Sequence, residues 1–113
     1  MSWKNSHFYN PPVVVEEIPK MILEMARADP PQPTAHGQVM KRIVRAIGWP
    51  SISKVGAQAS SDAALLVIRA DHDVSFQAQC LSKMNELPKG DVKAEDIKNL
   101  NDKVRANLGL VRK

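Results

Sequence analysis

The run Ala63-Ala64-Leu65-Leu66-Val67-Ile68 contains no polar position. On a helix, six consecutive residues cover the whole circumference at ~100° each. A helix that is apolar nearly all round belongs at the buried centre of a small bundle. Ser60 or Ser61 can cap its start. It ends near Asp71-His72-Asp73, and the rest of the chain must supply the helices that surround it.

Four further helices fit the pattern. Pro19 suits a first turn, where its missing N–H costs nothing, and Ile18, Ile22, Met25 and Ala26 share one face of a helix running to Ala28. Asp29-Pro30-Pro31-Gln32-Pro33 stops it as a stiff linker. A second helix covers about Thr34 to Ile47, with Val39, Met40, Ile43, Val44 and Ile47 as its apolar stripe and Lys41, Arg42 and Arg45 on the opposite arc. Gly48 is placed to end it, Pro50 is a stop, and Trp49 sits in the corner between them. Residues 51–60 are rich in Ser, Gly and Ala and read as a loop. Asp73 can cap a helix from Val74 to about Glu86, with Phe76, Cys80, Leu81, Met84 and Leu87 inward. Pro88-Lys89-Gly90-Asp91 is a turn, and a last helix runs from Ala94 to Asn107 on Ile97, Leu100, Val104 and Leu108. Gly109 closes it.

The chain starts differently. Residues 1–12 read as an irregular arm carrying Trp3, Phe8 and Tyr9, and such anchors pack either on the domain or on a partner subunit. Val13-Val14-Val15 is a short strand or an extended lead-in. The expectation is an all-α protein: an arm at 1–12 and one compact bundle of about five helices at 13–113.

Composition bounds the function. A length of 113 residues fits one domain. Aromatics are only 4%, so Leu, Ile, Val, Met and Ala must build the core. The net charge of +4 favours acidic partners weakly and does not by itself indicate nucleic acid. No apolar run approaches the ~18 residues of a membrane span, and the N-terminus has no signal-like apolar stretch. The lone Cys80 cannot form an internal disulfide, so a cytoplasmic protein is the default expectation.

Few residues suggest chemistry. Asp71-His72-Asp73 could bind a metal or run acid–base chemistry. Three consecutive residues diverge on a helix, however, so the preferred reading is a helix junction with Asp73 as a cap. His7 and His36 have no ligand-spaced partner, so no metal and no cofactor is expected. Cys80 lies on an inner face and reads as a small hydrophobe. No phosphate-cradling glycine loop, nucleophile elbow or Cys-x-x-Cys is present. The Lys41-Arg42-Arg45 face could touch phosphates, but the apolar third helix cannot serve as a recognition helix, which argues against nucleic acid.

From Gly48 onward a set of residues follows in order: Gly48-Trp49-Pro50, Val55-Gly56, Ala63, Leu65-Leu66-Val67, Ala70-Asp71, Asp73, Phe76-Gln77, Leu100, Asp102-Lys103-Val104 and Gly109. Over about residues 38–109 this resembles a mostly bacterial family of domains of unknown function, family 6624. The family pattern reads Trp-Leu-Leu-Val-Gln-His-Ala-Asp through the third helix and ends in Gln-x-Tyr-Gly-Thr-Gln. Here Ala64, Ile68 and Arg69 stand at its Trp, Gln and His positions, and the chain stops at Lys113 without that tail. The resemblance implies a shared scaffold from which the polar groups suited to catalysis are missing.

Three functional expectations follow. The first is a non-catalytic protein-binding module of the immunity, antitoxin-like or adaptor kind. Its binding residues would be Trp3, Phe8, Tyr9, Lys41, Arg42, Arg45, Trp49 and Arg69, and a homo-oligomer stays open. The second is a small enzyme using Asp71 and His72, with Arg69, beside Trp49. The third is a nucleic-acid binder on the basic face of helix two.

Overall fold

A computed structural model of the chain describes residues 11–109. The arm residues Trp3, His7, Phe8 and Tyr9, and the tail beyond Gly109, lie outside the described residues. Those described form an all-α globule, 70% helical, with six helices and no strand. The helices are α1 (Ile18–Ala26), α2 (Pro33–Ile47), α3 (Ile52–Val55), α4 (Ala57–Ile68), α5 (Val74–Asn85) and α6 (Ala94–Asn107).

Val13–Val15 make no strand. The chain is extended at Val14 and then tightens into a 3-10 turn over Val15–Glu17, which leads directly into α1. Pro19 occupies the first turn of α1, and Ile18, Ile22 and Met25 are buried. α2 begins on Pro33 and buries Val39, Met40, Ile43 and Val44 as its stripe requires. Gly48, at φ +76 and ψ −160, turns the chain out of α2 while its N–H reaches Val44 O at 2.8 Å. That backbone region is essentially restricted to glycine.

The segment 51–60 is not a loop. It contains α3 and the first turn of α4. α3 is pinned from a distance: the Ser53 N–H and hydroxyl donate to the two Asp91 carboxylate oxygens at 2.7 and 2.8 Å, and the Ile52 N–H to Asp91 O at 2.9 Å. Asp91 thereby does the work of an N-cap from 38 residues downstream. Gly56, at φ +92, then opens α4, so neither Ser60 nor Ser61 is a cap. Ser60 is buried inside the helix, and the Ser61 hydroxyl donates to Asp96 at 2.8 Å.

α4 is central, packing against α1, α2, α3, α5 and α6. Its sides are lined with small residues: Ala59, Ala63 and Ala64 are buried with Leu66 and Val67. Burial is not complete all round, because Leu65 is 37% exposed. Met84, Leu100 and Val104 close the core from α5 and α6. Leu108, expected inward, is 52% exposed because it lies just past the end of α6, off its buried stripe. Cys80 is fully buried, and burial pushes its thiol up to about 12, so it is a packing group.

Candidate functional site: the groove between α2 and α5

The Asp71-His72-Asp73 cluster comes apart at the α4–α5 corner. Asp71 turns toward α6, where Asn107 Nδ2 donates to Oδ1 at 3.0 Å and the Lys103 ammonium lies 3.4 Å from Oδ2. The fully buried Gln77 joins them. Its amide nitrogen donates to Val67 O at 3.0 Å and Ile68 O at 3.3 Å, and its Oε1 accepts from Asn107 at 2.8 Å. The hydrogen bond from Asn107, then those from Gln77 and Lys103, hold the Asp71 carboxyl below the ordinary carboxylate value. This network gives Ile68 O a donor at the end of α4 and Val67 O a second one beside the Ala70 N–H.

Asp73 turns the other way, toward α2. Its Oδ1 accepts the Phe76 N–H at 3.1 Å, capping α5 as the sequence suggests, while its other oxygen pairs with Lys41. The Lys41 hydrogen bond is the largest of the effects that lower its pKa. The same ammonium lies 5.8 Å from the centre of the Phe76 ring. His72 is exposed and lies over Gly37, so close that a Cβ there would sit 3.3 Å from Nε2. The three side chains therefore engage α6, α2 and the α2 backbone separately. Among the described residues, no group of three or more His, Cys, Asp or Glu is placed to hold a metal ion.

Lys41 lines a groove between α2 and α5. The groove measures about 410 Å³ and is lined by Lys41, Val44 and Arg45 from α2, and by Asp73, Ser75, Phe76, Gln79 and Lys83 from the cap and body of α5. Val44 and Phe76 form a nearly closed floor, only 7% and 4% exposed. The walls are polar heads. Asp73 neutralises Lys41, and Arg45 and Lys83 add two further positive charges.

The other expected binding residues go elsewhere. Arg42 donates to Pro11 O at 2.7 Å and so fastens the described start of the chain to α2. Trp49 is 2% exposed and belongs to the core, so its indole is not a surface anchor: the Gly48 turn folds the corner inward. Arg69 donates to Ala26 O at 3.4 Å at the end of α1. It also stands near the buried His36, whose pKa is lowered by burial first and by the Arg69 charge second. Three grooves of similar size among the described residues are lined without Asp71, His72, Arg69 or Trp49. Of the sequence candidates among the described residues, Lys41 and Arg45 meet in the groove between α2 and α5. Ser75, Gln79 and Lys83 were missed. Their signal was faint: Phe76, Gln79 and Lys83 recur at the three-and-four spacing of one helical face.

No helix is long and apolar enough to cross a membrane among the described residues. Comparison with protein families, with curated proteins and with solved structures finds no match to this chain.

Proposed function

We propose that this chain is a small, non-catalytic protein-binding module that docks a partner in the groove between α2 and α5, as immunity, antitoxin-like and adaptor proteins dock theirs. The observation that carries the reading is the groove itself: an open, polar-walled cleft whose Arg45 and Lys83 have no acidic counterpart in a salt bridge among the described residues. The separate engagement of Asp71, His72 and Asp73 supports it, since the chain's densest polar cluster is employed in joining helices. A scaffold shared with family 6624 belongs to the same proposal and rests on the resemblance positions Asp71, Gln77 and Lys103, which meet in one network here. A cytoplasmic location belongs to the same proposal and rests on the lone, buried Cys80.

A photo-crosslinking amino acid at Gln79, introduced into the full chain in its native host, tests the reading. The same probe at Glu24, exposed on α1, is the comparison. A dominant heterologous adduct from position 79 and none from position 24 is the expected result. No adduct from position 79, or equal adducts from both, would refute it.

A further inference from the structure

Resting on that docking reading, we infer that the segment received by the groove is acidic: a short stretch of a protein partner whose clustered Asp or Glu carboxylates pair with Arg45 and Lys83.

Charge complementarity carries the assignment. Three cations reach the groove, and one of them is already committed to Asp73. Arg45 and Lys83 stand on opposite walls with no acidic partner in a salt bridge among the described residues. Gln79 and Ser75 add neutral hydrogen-bonding groups to the lining. The floor leaves little apolar surface, because Val44 and Phe76 are each less than a tenth exposed. An apolar anchor would gain little here, so recognition falls to charge and hydrogen bonding.

Size separates the candidates. Phe76 and Lys83 are seven residues apart on α5, about two turns or roughly 10 Å. That length takes one or two turns of a partner helix, or about three extended residues. On a nucleic-acid strand the same length covers about three phosphates at 3.4 Å each, well short of the 6–10 contacts behind strong salt-dependent binding. A small free anion is a poor fit as well, since the lining polar heads belong to half-buried or exposed residues and none is buried to fix it.

Asp73 gives the groove a direction. Its carboxylate sits at the Lys41 end, so a carboxylate arriving there meets a neutralised pair. Arg45 and Lys83, the lining cations outside that pair, are where acidic residues are favoured.

The test titrates the ¹⁵N-labelled full chain with a decaglutamate peptide, a neutral Gly-Ser decapeptide and a ten-nucleotide oligothymidine at low salt. Decaglutamate is expected to shift backbone resonances of residues 41–45 and 75–83, saturably and less at higher salt. The double variant Arg45→Glu, Lys83→Glu, checked for an unchanged circular dichroism spectrum, should weaken that binding by about tenfold or more. Lys83→Gln alone should give an intermediate loss, and it provides the same reading should the double variant not fold. Shifts spread over other faces, no shifts at all, or tighter binding of oligothymidine at these residues would overturn the assignment. A crosslinked partner whose contacting segment lacks acidic residues would overturn it too while leaving the docking reading intact. Absence of any adduct from Gln79 would instead remove the docking reading.

Discussion

Replacing Gln77 by Leu isolates the polar network that joins α4, α5 and α6. The side chain is fully buried, and leucine is of similar size, so packing changes little. What disappears is the donor to Val67 O at 3.0 Å, the longer contact to Ile68 O at 3.3 Å, and the acceptor for Asn107 at 2.8 Å. The bond to Val67 O is a buried one, but that carbonyl keeps the Ala70 N–H at 3.0 Å, so losing it costs about 1 kcal/mol. The other two bonds are part-buried, and water can replace them, at about 0.5–1 kcal/mol each. The added apolar burial offsets about 1 kcal/mol. The net expectation is a destabilisation of about 1–2 kcal/mol, or roughly 4–8 °C in melting temperature for a domain of this size. Gln77→Glu should be worse, because it sets a carboxylate beside Asp71 and two backbone carbonyls. Asn107→Ala should cost less, about 1 kcal/mol, since Asn107 is exposed and its Asp71 partner can turn to solvent. Thermal and urea unfolding followed by circular dichroism measure all three, and the Gln77→Leu, Asn107→Ala double mutant reads their coupling. A Gln77→Leu protein within about 0.5 kcal/mol of the parent would show that the network does not hold the corner.

Three further outcomes follow from the structure. His36 is buried with a lowered pKa, so the unfolded chain binds its proton first; its contribution to stability is present above 6.5 and is lost as pH falls below that value. The melting temperature should therefore drop through this window in the parent and drop less in His36→Gln; equal slopes would contradict the assignment. Gly48→Ala places a Cβ at φ +76 and should cost about 1–3 kcal/mol in urea unfolding, and no loss would mean that the turn relaxes. Cys80, fully buried with its thiol pushed up to about 12, should react with a thiol reagent at pH 8 only as fast as the protein opens. Rapid labelling of the folded chain would show that the α5 interior is accessible.

The helices that the sequence made legible are those with local signals. Pro19 marks a start, Gly48 marks an end, and Asp73 caps α5 through a bond within one turn, whereas Pro33, read as linker, opens α2. α3 was hidden because its support is not local: Asp91 holds it from 38 residues away, and four residues carry no periodic stripe. The Asp71-Asp73 divergence was legible, since neighbours on a chain point apart. The use of Asp71 was not, because Asn107 and Lys103 come to it from α6. The basic arc of α2 was visible, but it is not a uniform face. Asp73 takes up Lys41, and Arg42 holds the Pro11 carbonyl. Only the folded arrangement brings Lys83 opposite Arg45. Trp49 looked like an anchor because nothing in a Gly-Trp-Pro corner says which way its ring turns.

α4 behaves as a thin axle. Its buried alanines at 59, 63 and 64 let the neighbouring helices approach closely, and both walls of the groove, α2 and α5, rest on it. The aperture between those walls is therefore set from behind, by side-chain size on a helix that does not line the groove. Exchanging one methyl for a larger group at the axle would change the spacing of those walls while every cation on the rim kept its place in the sequence.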